Sequence, residues 1–86
     1  MANVTIRYWA AAKEAAGLTS ENVEASTLAD VIEAVVARHP DRPRLATVLG
    51  SCAYLVNEQP VGKRDPATVP LADGAQVEAL PPFAGG

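Results

Sequence analysis

A chain of 86 residues is long enough for one domain and too short for two. Seven Lys and Arg against ten Asp and Glu give a net charge of −3, which argues against nucleic-acid binding because that function needs a basic patch. The single cysteine, Cys52, excludes an internal disulfide, and no apolar run has the length of a signal peptide or a membrane span. We therefore expect a cytoplasmic protein that makes no membrane contact.

The first part of the chain predicts a strand followed by a short helix. Polar and apolar side chains alternate from Asn3 to Trp9, which is typical of a strand. The Ala-rich stretch Ala10–Ala16 has high helix propensity, and Gly17 is a suitable residue to end it. A weaker alternation over Glu21–Ala25 predicts a second strand at an edge of the sheet.

The clearest helix pattern covers residues 28–38. Its apolar side chains recur at the spacing of one helix face and are Leu28, Val31, Ile32, Val35 and Val36. Ser26 or Thr27 can cap the N-terminus, Asp30 lies near its positive end, and Pro40 stops the helix. This segment is therefore predicted to be the main amphipathic helix.

The second half of the chain predicts two more strands and one helical turn. Pro43–Leu49 can form a short helical turn that ends at Gly50. Cys52–Asn57 predicts a strand with both faces partly buried, Leu71–Gly74 a turn, and Gln76–Leu80 the last strand. One amphipathic helix over a small sheet gives an α+β fold of two layers.

Most enzyme signatures are absent from the sequence. It contains no phosphate-binding loop, no nucleophile elbow and no zinc-protease motif. With only one His and one Cys, the chain is not expected to hold a metal ion. Cys52 and His39 could in principle form a nucleophile pair. We interpret Cys52 instead as a buried apolar residue within a strand and His39 as a helix C-terminal cation or a solvent-facing residue. The carboxylate pairs predicted to lie on the solvated surface are Glu21 with Glu24 and Glu58 with Asp65.

The C-terminal segment has an unusual composition. Two glycines at an end are commonly a frayed terminus, but here Pro81-Pro82 stiffens the base and Phe83 supplies an apolar anchor. Gly85 and Gly86 lack side chains, so a terminal carboxylate could enter a narrow tunnel, reaching about 13 Å at roughly 3.3 Å per residue. A carboxylate is a poor electrophile. Conversion to an acyl-adenylate would activate it, and a sulfur nucleophile could then form a thiocarboxylate. The chain lacks an ATP-binding motif, so a partner enzyme would perform the activation.

Several motifs together resemble a known family. They are Ile6-Arg7-Tyr8-Trp9-Ala10 with Glu14 and Gly17, then Val56-Asn57-Glu58, Leu71 to Val77, and Leu80-Pro81-Pro82-Phe83-Ala84-Gly85-Gly86. This pattern is similar to the MoaD/ThiS-like sulfur carriers, the ubiquitin-like family that includes the small subunit of molybdopterin synthase. The resemblance implies a β-grasp fold, with a mixed sheet of about five strands covered by one main helix. It implies one domain over residues 1–80 and an extended tail over residues 81–86.

The resemblance also implies a function for the tail. Gly86 would be adenylated by a ubiquitin-activating-like adenylyltransferase that uses ATP, and would then carry sulfur covalently as a thiocarboxylate. Gly85 would give clearance in the tunnel, and Pro81, Pro82, Phe83 and Ala84 would bind the partner. The receiving partner would be the large subunit of molybdopterin synthase, in a heterotetramer that forms the dithiolene of molybdopterin. The chain would then bind no cofactor stably and would be a carrier subunit that has no catalysis of its own.

Three alternative functions remain open from the sequence. Carriers that supply sulfur for thiamine or cysteine synthesis share the fold and the Gly-Gly end, although Pro81-Pro82 favours the molybdopterin branch. A ubiquitin-like modifier would instead join Gly86 to a lysine by an isopeptide bond. A small enzyme that uses Cys52 is the least favoured of the three.

Overall fold

A mixed five-stranded sheet forms one layer of the protein, and helices cover one of its faces. The computed structural model describes residues 1–82. Its strands are β1 (Ala2–Tyr8), β2 (Ser20–Ala25), β3 (Ala53–Val56), β4 (Gln59–Pro60) and β5 (Gln76–Leu80), and its helices are α1 (Ala10–Ala16), α2 (Leu28–Arg38) and α3 (Arg44–Ser51). The strand order is β2-β1-β5-β3-β4. Strands β1 and β5 are parallel, and the other pairs are antiparallel.

The architecture is an α+β, ubiquitin-like β-grasp, as predicted. In β1 the alternate residues Ala2, Val4, Ile6 and Tyr8 are buried beneath the helices, whereas Arg7 is exposed on the open face of the sheet. Helix α2 supplies the facing apolar side chains of the core, which are Leu28, Val31 and Val35. The sheet therefore has one face packed on a core and one open face, an arrangement that antiparallel and mixed sheets tolerate. None of the helices among residues 1–82 combines the length and the apolar character that a membrane span requires.

Both ends of α2 follow the predicted chemistry. Thr27 is the N-cap, and its hydroxyl accepts a hydrogen bond from the backbone N–H of Asp30 at 3.2 Å. The Asp30 carboxylate accepts in turn from the backbone N–H of Thr27 at 3.2 Å, which completes a capping box. The C-cap is His39, one residue before Pro40. Local side-chain chemistry therefore sets the bounds of this helix.

Helix α1 ends at the predicted glycine. Gly17 has a φ of 80°, a left-handed conformation that L side chains rarely adopt, and its N–H donates to the carbonyl of Lys13 at 2.9 Å. A Cβ at this position would also collide with the guanidinium of Arg42. The backbone conformation therefore requires glycine here, whereas the Arg42 side chain could move away from a Cβ.

The third helix corrects two predictions. Gly50 does not end it, because α3 continues to Ser51 and its C-cap is Cys52. Burial of Leu45 and Leu49 on one face outweighs the roughly 1 kcal/mol by which an interior glycine disfavours a helix. Cys52 is consequently not within a strand, since β3 begins at Ala53, and its side chain is half-buried.

A two-residue turn joins β3 to β4, the strand that the sequence pattern did not predict. Val56 pairs with Gln59, and the intervening Asn57 and Glu58 have φ values of 50° and 66°. Positive φ at both central positions is the signature of a type I′ hairpin turn, for which Asn-Gly is the favoured pair. The side chain of Asn57 also accepts a hydrogen bond from the backbone N–H of Gln76 at 2.9 Å. The turn therefore has a favourable first residue and a strained second one.

We expect Glu58→Gly to stabilise the protein by about 0.5–1 kcal/mol. A non-glycine residue pays a steric cost in the left-handed region, and only part of that gain is offset by the greater entropy of glycine in the unfolded chain. Urea unfolding of Glu58→Gly, with Glu58→Ala as the matched control, checks this result. The Ala variant keeps a Cβ and should show no such gain. A Gly variant no more stable than the Ala variant would contradict the assigned turn.

Candidate functional site

The predicted tail leaves the fold from the middle of the sheet. Strand β5 pairs with β1 on one side and β3 on the other, so its last residue, Leu80, lies opposite Ala53 and follows Ala79, which pairs with Tyr8. Pro81 is half-buried and Pro82 is exposed. Because two neighbouring strands hold β5, the point at which the tail leaves is fixed relative to the rest of the molecule.

A wide apolar surface cleft of about 1010 Å³ surrounds this point, and we refer to it as the tail-base cleft. Its apolar lining consists of Trp9, Ala10, Ala11, Leu80, Pro81 and Pro82, and Lys13 and Glu14 complete the lining. Trp9 is 39% exposed, whereas most other large apolar side chains of the described residues are buried or half-buried. An exposed aromatic side chain in an apolar surface is a common feature of protein–protein contacts.

The indole of Trp9 is held in place by two charged neighbours. Its Nε1 donates a hydrogen bond to Oε1 of Glu78 at 3.1 Å. The guanidinium carbon of Arg7 lies 4.5 Å from the ring centroid, which is a cation–π contact. The backbone N–H of Trp9 also donates to the carbonyl of Ala79 at 3.2 Å. The ring is therefore a pre-positioned surface group.

The backbone next to Trp9 adopts an unusual conformation. Ala10 has a φ of 46°, a left-handed conformation in a residue that is not glycine. Such local strain persists only where surrounding contacts determine the conformation, and it often occurs at functional surfaces. Here it accompanies the sharp change of direction from β1 to α1 that leaves the indole at the surface.

The sequence pattern missed Trp9, Arg7 and Glu78 as members of the candidate site. The alternating pattern places Trp9 at the end of a strand, and the family resemblance includes it in the first-strand motif, but neither assigns it to a binding surface. These side chains meet because β1 and β5 are parallel neighbours, with Arg7 opposite Glu78. The available signal was a tryptophan in a chain with few aromatic residues, placed at the end of the first strand.

Cys52 and His39 do not form a nucleophile pair. The thiol of Cys52 donates to the carbonyl of Val48 at 3.3 Å, and burial raises its pKa to about 11. His39 lies at the C-terminus of α2, as predicted, but its Nε2 is hydrogen-bonded to Glu21 Oε2 at 2.8 Å and its side chain is only 19% exposed. Cys52 therefore has neither the thiolate character nor the adjacent base that a catalytic cysteine needs.

Glu21 corrects the prediction of a solvated carboxylate. Its side chain is only 8% exposed and accepts hydrogen bonds from the Tyr8 hydroxyl at 2.6 Å, from His39 at 2.8 Å and from Arg38 at 2.8 Å. Burial alone would raise the pKa of Glu21, but these hydrogen bonds outweigh it and hold the pKa below its usual value. Burial and the bond to Glu21 raise the pKa of Tyr8. The other members of the two predicted pairs, Glu24, Glu58 and Asp65, are exposed.

Only some of the remaining predicted site residues lie in the part of the chain that the structure describes. Pro81 and Pro82 lie in the tail-base cleft. Phe83, Ala84, Gly85 and Gly86 lie outside the described residues, so their roles stay predictions. Among residues 1–82, no group of three or more His, Cys, Asp and Glu side chains is arranged to hold a metal ion.

The sequence profile of the ThiS family matches residues 6–86. The chain belongs to the ThiS family. This match includes both the cleft residues and the Gly-Gly end. The chain is also 29% identical, over 86 residues, to the molybdopterin synthase sulfur carrier subunit of Chlamydomonas reinhardtii, covering 96% of this chain and 98% of that protein.

Solved structures similar to this ThiS-family chain share its fold over nearly their full length. Small archaeal modifier protein 1 from Methanosarcina acetivorans has a TM-score of 0.81 at 22% identity, covering 100% of this chain and 98% of that one. Subunit 1 of a putative molybdopterin converting factor from Pyrococcus furiosus has a TM-score of 0.74 at 25% identity, covering 96% and 100%. A complex of subunits 1 and 2 of the molybdopterin-converting factor from Helicobacter pylori gives a TM-score of 0.66 at 27% identity, covering 98% and 99%.

Proposed function

We propose that this ThiS-family protein is the sulfur-carrier subunit of a molybdopterin synthase. The observation that carries the proposal is the geometry at the end of β5. A strand held on both sides delivers Pro81 and Pro82 beside an exposed Trp9 in an apolar cleft. A partner that docks on this cleft would meet the start of the tail in one defined position. The match to a molybdopterin synthase sulfur carrier subunit over almost the whole chain supports this pathway.

The proposed chemistry takes place on the carboxylate of Gly86. An adenylyltransferase joins this carboxylate to the α-phosphate of ATP, which forms an acyl-adenylate and releases pyrophosphate. A sulfur nucleophile attacks the acyl carbon and displaces AMP, so that one oxygen of the carboxylate is replaced by sulfur. Attack on the acyl-adenylate is easier than attack on the free carboxylate, because AMP is a better leaving group than an oxide ion. Activation and transfer take place in the cytoplasm, where ATP is available and a lone thiol such as Cys52 stays reduced.

Sulfur transfer takes place in the complex with the large subunit. The Helicobacter pylori structure, which contains subunits 1 and 2 of a molybdopterin-converting factor, supports a partner of this kind. Gly85 and Gly86 enter the active site of the large subunit, because residues without side chains need the narrowest passage. Pro81, Pro82, Phe83 and Ala84 contact the partner around the entrance. The large subunit binds the pterin precursor, and successive carriers supply the sulfur atoms of the dithiolene.

Reconstitution tests the proposed pathway. The carrier is loaded with its activating enzyme, ATP and a sulfide source, and is then mixed with the molybdopterin synthase large subunit of the same genome and cyclic pyranopterin monophosphate. We expect molybdopterin to form and the carrier to return to its unloaded mass. Sulfur loading followed by transfer only to thiamine or cysteine precursors would assign a different pathway. Lysine conjugates without sulfur loading would assign a protein modifier instead.

A further inference from the structure

Arg7 lies beside the tail-base cleft and has no anionic partner among residues 1–82. Its guanidinium stacks on the ring of Trp9, with 4.5 Å between the guanidinium carbon and the ring centroid. Within residues 1–82, no carboxylate oxygen lies within 4.0 Å of its nitrogen atoms, whereas Arg38 is paired with Glu21 at 2.8 Å. Arg7 is exposed, on the same open sheet face as Trp9 and Glu78. Its hydrogen-bond donors are thus available to another molecule.

The neighbouring acid does not neutralise Arg7 directly. Glu78 lies opposite Arg7 in the register of β1 and β5, but its Oε1 accepts from the indole N–H of Trp9 at 3.1 Å. The other charged residues around the cleft are Lys13 and Glu14, which line it and have opposite charges. The N–H edge of the Trp9 indole therefore contacts Glu78, and the face of the same ring contacts the guanidinium of Arg7.

We propose that Arg7 binds a carboxylate side chain of the protein that receives the tail, and that Trp9 fixes the orientation of this guanidinium. The inference rests on the proposed function, because the partner is the large subunit that docks on the tail-base cleft. A planar guanidinium forms two parallel hydrogen bonds with a carboxylate, which specifies geometry as well as charge. Stacking on Trp9 leaves the donor edge of the guanidinium open while it restricts the side chain, so less entropy is lost on binding.

The recognised surface of the partner accordingly combines an Asp or Glu with apolar neighbours. The apolar neighbours cover Trp9, Leu80 and Pro81, and the carboxylate lies against Arg7. Water exclusion by the apolar contact strengthens the ion pair at its border, since charge–charge attraction grows as the local dielectric constant falls. The pair also fixes the rotation of the carrier about its tail, which an apolar contact alone defines poorly.

Binding of charge variants to the large subunit provides the first test. We expect Arg7→Glu to weaken binding at least about 30-fold, because one partner of the pair is reversed and the other is left without a counter-charge. Lys63→Glu is the matched control, since it makes the same change of charge at an exposed residue away from the cleft, and it should change binding by about twofold or less. Unfolding temperatures of both variants equal to that of the unaltered protein would establish that the fold is retained.

Zero-length crosslinking provides the second test. A carbodiimide joins an amine to a carboxylate that it already touches, so Arg7→Lys introduces a reactive amine at the proposed contact. We expect peptide mass spectrometry of the complex to find position 7 joined to an Asp or Glu of the large subunit. A crosslink from position 7 to the carrier's own C-terminus, or no crosslink from position 7 in a complex that forms, would overturn the inference.

The two proposals fail in different ways. If the unaltered carrier is loaded with sulfur and binds the large subunit, but Arg7→Glu binds equally well, then the role of Arg7 is wrong and the proposed function stands. If the unaltered carrier neither accepts sulfur nor binds the large subunit, then the proposed function is wrong, and the inference about Arg7 is wrong with it.

Discussion

A chain that ends at Ala84 is expected to accept no sulfur and yet to unfold at the same temperature as the full-length protein. Removal of Gly85 and Gly86 takes away the proposed acyl group but no apolar side chain, so we expect little change in stability. The free energy of unfolding should change by less than about 0.5 kcal/mol. Intact mass after incubation with the activating enzyme, ATP and sulfide measures loading, and thermal unfolding measures stability.

A second variant distinguishes loss of the terminal carboxylate from loss of access to the active site of the large subunit. Gly85→Ala keeps the terminal carboxylate but adds a Cβ next to it, so we expect reduced transfer in the complex with the large subunit and unchanged folding. A sharp fall in the unfolding temperature of the truncated chain would mean that the tail is a structural element. Undiminished transfer by Gly85→Ala would mean that the passage is not narrow at this position.

Replacement of Glu21 by alanine is expected to lower the free energy of unfolding by about 2–3 kcal/mol. The variant removes the common acceptor of Tyr8, His39 and Arg38, and the Tyr8 hydroxyl, on a residue 1% exposed, loses its partner. Arg38 contributes the smallest part, because its side chain is 46% exposed and solvent screens its ion pair. For a domain of this size the change corresponds to an unfolding temperature lower by about 8–24 °C. Glu24→Ala, on the exposed side of the same strand, is the matched control and should have little effect.

The same carboxylate gives the protein a defined acid sensitivity. Its hydrogen bonds hold the pKa of Glu21 below the usual value of 4.5 in the folded state. The stabilisation is therefore fully present above pH 4.5 and is lost as the pH falls through the folded-state pKa. Urea unfolding of the native protein and of Glu21→Gln should accordingly show a stability difference that shrinks below about pH 4.5. A difference that stays constant into acid would contradict the depressed pKa.

The sequence predicted the elements whose limits depend on local chemistry. Helix α2 begins at the capping box of Thr27 and Asp30, and α1 ends at Gly17, because each of these signals acts within a few residues. Strand β5 was also predicted from the alternation around Val77. The α+β class followed from one apolar helix face and several short strands.

The features that were missed depend on contacts between distant parts of the chain. No local pattern shows that β1 lies parallel to β5, and only this pairing brings Trp9 next to Glu78 and to the base of the tail. Glu21 looked like a surface residue because its three donors come from β1 and from the end of α2. The prediction that Gly50 ends α3 was wrong because tertiary burial of Leu49 overrides the helix-ending tendency of glycine.

The location of sulfur on the loaded carrier is the measurement that tests the central claim most directly. The full chain is incubated with its activating enzyme, ATP and a sulfide source, and the product is analysed by intact and fragment mass spectrometry. We expect a single oxygen-to-sulfur exchange that lies on Gly86 and depends on ATP. Sulfur on Cys52 instead of Gly86 would contradict the account. An unchanged mass of the full chain would also contradict it, provided that the same activating enzyme loads another carrier under these conditions.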